Sequence, residues 1–357
     1  MALTYQAGRR IQGTAADRAG SDAVSGGWVE LGRTTLGSAG DDITVSSLPD
    51  KRYYMILSNS IPTGNVDFAW RTGNGSVDIG NNYASRSSQN GGAEVTVAST
   101  NRIRAGLSGT ISTPQFHMGF WSNLSSKEKL FIGHSMGQNA AGAGTAPTRR
   151  ENVGKWTSTS NPLDTLTATN AGAGSHNTGS ELVVLGYDPD DTHTTNFWEE
   201  LASVELTSAG TLSSGTFTAK KYLWVQAYTP SSTNASPDGY VEFNADSGTN
   251  YASRRSHNGG SDTTATSDGT GIRIDGTGGQ TAKFHNLFIL NNSSTEKLVI
   301  AHSITANTAG AGTAPSRTES VGKWANTSNQ ITRVDIIDQY ASPAWGAGSF
   351  IKVWGAD

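Results

Sequence analysis

The chain has 357 residues, a formal net charge of −4 and only 16% charged side chains. That balance offers no electrostatic footprint for nucleic acid. The absence of cysteine excludes disulfides, thiolate zinc sites and a cysteine nucleophile. Gly is abundant at 43 residues, yet nine Trp, ten Tyr and ten Phe are more than a disordered chain carries.

Residues 1–26 hold Tyr5, Arg9, Arg10 and Arg18 and almost no large apolar side chains. They read as an extended arm outside any core, and they lack the apolar centre of a signal peptide. From 27 to 188 the apolar stretches are short and rich in β-formers, at 53–57, 116–121, 130–132 and 182–185. Residues 28–36 read as a strand, because their β-branched content and abrupt Ser-Ala-Gly exit do not suit a helix. A polar connector follows at 189–196, entered through Asp188, stiffened by Pro189 and kept in water by Asp190 and Asp191. The pattern then resumes over 197–357, with stretches at 198–206, 222–225, 284–290, 298–300 and 350–354. Asn-Gly and Asp-Gly pairs at 74–75, 90–91, 268–269 and 275–276 supply the positive φ that tight hairpins need. No stretch approaches the roughly 18 apolar residues of a membrane span.

The two long stretches are copies. Asn139 to Trp156 returns as Asn307 to Trp324, an offset of 168 residues. Tyr83 and Arg86 match Tyr251 and Arg254, Glu128 matches Glu296, and His117 and His134 match His285 and His302, all at that offset. Units of roughly 160 residues are large enough to bury a core of their own, unlike the short repeats of solenoids. The fold expected is all-β: two tandem homologous antiparallel β-sandwiches, jelly-roll-like, behind an N-terminal extended arm.

Little in the sequence looks like catalysis. The Asp188, Asp190 and Asp191 cluster lies in a solvated connector, without the burial that tunes a catalytic carboxyl. Calcium is the one cofactor such a loop could hold, although no EF-hand spacing is present. His117 with His134, and His285 with His302, are expected to hydrogen-bond within a sheet, since a third metal ligand is missing. The Ala-Gly-Ala-Gly stretches at 141–144 and 309–312 lack the Gly-Lys-Ser/Thr ending of a phosphate loop. They read as tight loops whose small residues admit another backbone. Trp156 and Trp324 read as core aromatics. Tyr83, Arg86, Tyr251 and Arg254 are the candidates for surface recognition, for example of a glycan presented near loops 72–82 and 244–250.

The copied segments, with MALTYQAGRRIQGT at the start, LGRTTLGSAGDDITVSSLPDKRYYM at 31–55 and the stretch from Asn196 to Tyr228, resemble repeated-domain proteins of uncultured marine tailed phages. The resemblance covers nearly the whole chain. It implies a phage origin and a particle component, and it transfers no catalytic or binding residue. The reading that follows is a virion structural protein without enzymatic activity, assembled in the host cytoplasm and placed on the virion surface. Its first form is a capsid decoration or cement protein, docked on the major capsid protein or another virion protein through the arm (Tyr5, Arg9, Arg10, Arg18) and the sandwich edges. A homo-oligomer follows from closed symmetry, and a trimer would present six sandwiches to a quasi-sixfold lattice. The alternatives are a tail-fibre or carbohydrate-binding module that takes a host glycan, and a double-jelly-roll major capsid protein.

Overall fold

The computed structural model describes residues 24–25, 27–107, 112–189, 192–193, 196–232, 237–276, 281–308, 310–339 and 345–357. Tyr5, Arg9, Arg10, Arg18, Asp190 and Asp191 lie outside them. Every described element is a strand, and every strand pairing is antiparallel. In the first half an eight-stranded sheet runs, side by side, Val29–Thr35, Glu181–Tyr187, Tyr53–Ser60, Gln115–Ser122, Lys129–Gly137, Thr148–Trp156, Tyr83–Gln89 and Val95–Thr100. A smaller sheet of Asp42–Val45, Thr165–Asn170, Phe68–Asn74 and Ser76–Val77, with Ile103–Arg104 paired to Phe68–Asn74, covers its inner face.

The second half repeats this order. Its large sheet is Glu199–Glu205, Phe350–Ala356, Tyr222–Thr229, Lys283–Leu290, Lys297–Thr305, Ser316–Trp324, Tyr251–His257 and Thr263–Asp268. Its small sheet is Leu212–Ser213, Val334–Asp338, Gly239–Phe243 and Ile272–Arg273. Two tandem β-sandwiches of one topology are thus present, each with unequal sheets. The hairpin signal acts as the sequence predicts at Asn90-Gly91, and its copy Asn258-Gly259 does the same, all four residues having positive φ. Gly276 serves a different end, since a Cβ there would fall on the His257 ring.

Three apolar cores hold the chain, one more than two sandwiches require. Tyr54, Phe68, Trp70, Tyr83, Trp121 and Trp156 fill the first sandwich. Phe243, Tyr251, Trp324 and Trp345 fill the second. The third lies between the outer faces of the two large sheets: Leu57, Phe116, Met118 and Met136 of the first module meet Tyr222, Phe288, Leu298 and Ile300 of the second. Strand Tyr53–Ser60 shows how one sequence serves two cores. Tyr54 and Ile56 point into their own sandwich, while Met55 and Leu57 point at the other module. A strand buried on both faces loses its polar alternation, which is why 53–57 reads as a continuous apolar run. The sequence-based expectation of two self-sufficient modules therefore needs correction, because either module alone would expose an apolar sheet face.

Because the third core couples the halves, calorimetry should show one cooperative unfolding transition. Phe288→Ala, within that core, should cost about 3–5 kcal/mol and lower the single midpoint. Two separate transitions, with only the later half shifted, would contradict this.

Candidate functional site: the module interface and its bare counterpart

The polar half of the interface is built on the copied loop. Gly142, at a φ of 80° that favours glycine, turns residues 138–147 of the first module across the second. Backbone groups of the loop are then read by side chains. Lys323 donates to the carbonyls of Gln138 (3.1 Å) and Ala140, Glu296 accepts from the Gly142 amide, and Arg254 donates to the Pro147 carbonyl at 2.8 Å. The Ser267 amide donates to the Ala143 carbonyl at 2.8 Å. Beside the loop, Arg149 grips Asp262 with two nitrogens, at 3.0 Å and 2.6 Å. Such a bidentate guanidinium–carboxylate pair fixes direction as well as charge.

At the far edge, Glu181 collects charges from both modules. It accepts from Tyr222 (2.8 Å) and Lys221 (2.9 Å) of the second and from Thr35 (2.7 Å) of the first, with Arg33 at 3.6 Å. Burial opposes its charge, but the hydrogen bonds from Lys221, Thr35 and Tyr222 outweigh burial and hold its pKa below the usual value. Between loop and edge, the His134 and His302 rings meet with centroids 4.2 Å apart. Burial lowers both pKa values, aided by His302 and Arg149 at His134 and by Arg149 and Arg317 at His302, which is held at about 4.

His134 and His302 are copies of one another, so the modules meet close to a two-fold relation. A full two-fold would make every contact twice with roles exchanged. One set only is made. Apart from the Glu181 network, whose equivalent position is Phe350, the partners for the other are present and face solvent. Leu298 is fully buried while its copy Leu130 is 56% exposed; Ile300 is 1% exposed against 51% for Ile132. On the second module the inversion runs the other way, with Met136 at 0% and its copy Ile304 at 45%. Lys155 and Glu128, the copies of Lys323 and Glu296, bind each other at 2.8 Å. Arg86 and Glu94, the copies of Arg254 and Asp262, do likewise at 2.5 Å. Arg317, the copy of Arg149, is exposed and turns to Glu319. Next to these, Trp28, Tyr53, Phe120, Leu130, Ile132 and Tyr187 line an open apolar groove of about 350 Å³.

The selected surface residues fare unequally. Tyr83 and Tyr251 are buried, not at the surface, because each hydroxyl is spent on backbone within its own sandwich, with Thr72 and Phe243 respectively. Arg86 is exposed, and Arg254 is drawn into the interface. Trp156 and Trp324 are core residues whose indole N–H groups bind Asp78 and Asp246, so loops 72–82 and 244–250 turn no Trp or Tyr of these pairs to solvent. His117 and His285 bind Ser135 and Ser303 across neighbouring strands, as expected, whereas His134 and His302 meet each other instead. Among the described residues no group of three or more His, Asp or Glu is placed to hold a metal ion. The copied Ala-Gly loop does admit another backbone, and the partner is the other module. Glu181, Asp262 and Glu296 were not foreseen; the shared copying of Glu128-Lys129 and Gly154-Lys155 was the only signal of the last.

No family model matches the chain, and no curated protein matches it. Among solved structures, domains LG4-5 of the mouse laminin alpha1 chain are similar at 11% identity over 92% of this chain and 90% of theirs, with a TM-score of 0.19. The outer membrane channel DcaP of Acinetobacter baumannii is similar at 8% identity over 90% and 99%, with a TM-score of 0.11. Superpositions that loose carry no argument, so the fold rests on the strand order given above.

Burial lowers the pKa of six histidines: His117, His134, His176, His257, His285 and His302. The unfolded chain takes up these protons first. The stability they contribute is complete above about pH 6.5 and is lost as pH falls toward the folded values, about 4 for His176. His176 alone would account for about 3 kcal/mol at pH 4. The melting temperature should therefore be flat from pH 7 to 8 and fall steeply below 6.5. Joint His134→Gln and His302→Gln replacement should flatten that acid limb, and an unchanged limb would remove these two residues from the account.

Proposed function

We propose that this chain is a non-enzymatic structural protein of a virus particle, placed at the virion surface as a decoration or cement protein. The carrying observation is the bare contact set on the first module: the apolar shelf of Leu130, Ile132 and Val153 flanked by Lys155, Glu128, Arg86 and Glu94. What such a surface accepts is illustrated within the molecule, where its copy grips a loop of small residues through that loop's carbonyls and one amide. The occupant we propose is a Gly/Ala-rich loop of a neighbouring particle protein, with the major capsid protein as first choice. Exposed apolar area of this kind on a sheet face marks a protein contact. The phage resemblance of the sequence, the lack of a defensible catalytic constellation and the stiff three-core body all favour building material over an enzyme. Assembly in the host cytoplasm and a homo-oligomer belong to the same reading.

A carbohydrate-binding reading has one observation in its favour, the aromatic groove of Trp28, Tyr53 and Tyr187. Ser122 is the one non-aromatic polar residue among its lining, so a sugar would find few hydrogen-bond partners.

The test adds purified protein to undecorated particles and reads occupancy by electron microscopy. Ile132→Asp with Lys155→Glu should reduce occupancy at least tenfold, equivalent to about 1.4 kcal/mol or more, at an unchanged melting temperature. Full occupancy by that variant would exclude this face. Glycan-array binding without particle binding would favour the sugar-binding alternative.

A further inference from the structure

The second module buries an ion pair that the first does without. Lys283 opens the strand Lys283–Leu290, and Asp275 follows the small-sheet strand Ile272–Arg273; both side chains are fully buried and in direct contact through Nζ and Oδ2. Trp345, itself fully buried, closes the site, with Lys283 Nζ 5.9 Å from its ring centre. By register the first module has Gln115 in place of Lys283, Gly106 in place of Asp275 and His176 in place of Trp345. One topology thus folds around a neutral set and around an ionic one. A buried ion pair is a poor source of stability compared with such a neutral replacement.

We propose that Lys283 and Asp275 form a covalent isopeptide bond, an autocatalytic modification that staples the core of the second module. Transfer of one proton from Nζ to Oδ2 turns ammonium and carboxylate into amine and carboxylic acid, the reactive forms of both partners. An apolar site favours that neutral pair. Burial raises the Asp275 carboxyl to about 6 even against the pull of Lys283, which agrees with the transfer. The amine Nζ then attacks Cγ. Negative charge develops on Oδ1, where the Gly239 amide already donates at 2.8 Å, a position that stabilises an oxyanion. The C–Oδ2 bond breaks, the hydroxyl takes one of the two Nζ protons, the other stays as the amide N–H, and water leaves. Amine plus carboxylic acid becomes amide plus water, and no oxidant or co-reactant is needed.

His285 is placed to carry the proton that the hydroxyl takes. It lies two residues along the strand, on the same core-facing side as Lys283. Its Nδ1 is engaged with Ser303 at 2.8 Å, while Nε2 is buried without a hydrogen-bond partner. The Pro237 carbonyl, accepting from Nζ at 2.7 Å, holds the amine in line.

The test is the mass of the intact full-length chain under denaturing conditions, followed by tryptic mapping. The expected result is a chain lighter than its sequence by one water, with Lys283 resistant to trypsin. The peptide spanning Ile274 to Lys297 should then appear uncut and equally lighter. Asp275→Ala and Lys283→Arg should each restore the full mass, and His285→Gln should leave most chains uncross-linked after a time at which the wild type is complete. Since the mass is read on unfolded wild-type protein, the answer does not depend on any variant folding. A full sequence mass with cleavage after Lys283 would overturn the proposal. So would loss of water with Lys283 still cleavable, which would indicate a succinimide at Asp275-Gly276 instead.

Discussion

Burial of the large sheets on both faces is the constraint from which the rest of this architecture follows. A sandwich normally leaves its outer faces to water, and polar residues alternate with apolar ones along each strand. Here the outer faces are apolar, and in water each would be an association surface. Packing them against one another turns two sandwiches into one cooperative body of four sheet layers. The same packing dictates where polar chemistry is allowed. Groups between the sheets must be neutral, like His134 and His302, or fully satisfied, like Arg149 with Asp262.

Near two-fold packing of two copies poses a choice, because either end of the interface could close. One network decides it. Glu181 opens the closing strand of the first module's large sheet, and at the equivalent position the second module has Phe350. The closed end therefore has a buried carboxylate to receive Lys221, Tyr222 and Arg33, whereas at the opposite end the carboxylate lies one strand over, on exposed Glu205 beside Phe350. The apolar and loop contacts are available to both ends, so the ends differ in their polar positions, Glu181 against Phe350 and Thr35 against Glu205. Arg149 and Asp262 then lock the closed end, while the equivalent Arg317 and Glu94 are left with local partners.

Repeats and turns were legible in the sequence because both are local. An Asn-Gly pair imposes its φ whatever surrounds it, and a copied segment reports a copied fold. Strands 29–35 and 199–205 followed from β-branched content and the abrupt Ser-Ala-Gly exits. The Ala-Gly loop was correctly read as a place of close approach, but not what approaches it. The limit is sharpest at Leu130 and Leu298, or Ile132 and Ile300: identical residues in nearly identical neighbourhoods, with opposite burial. No reading of local sequence can separate them, since the difference arises from which end of a symmetric interface closed. Tyr83 and Tyr251 failed as surface candidates for a related reason. A Tyr kept in both copies beside polar residues suits a glycan platform and a buried hydroxyl equally, and the backbone groups that claim the hydroxyl lie on another strand.

The duplication also supplies an internal control, since two modules of one topology differ at known positions. Where both copies keep a residue in the same environment, as with Trp156 and Trp324 on Asp78 and Asp246, the fold itself explains it. Where both keep a residue but only one uses it, as with Lys155 and Lys323, the interface geometry or an external partner must explain it. Where only one module has a costly group, neither explanation suffices. The Lys283–Asp275 pair belongs to this third class, because Gln115 and Gly106 fill the same places in a sandwich that folds without any charge there. Desolvating an ammonium and a carboxylate costs several kcal/mol for each ion before their attraction returns anything. A chain that carries this cost in one module, beside a demonstration in the other that it is unnecessary, points to chemistry at the pair rather than to packing.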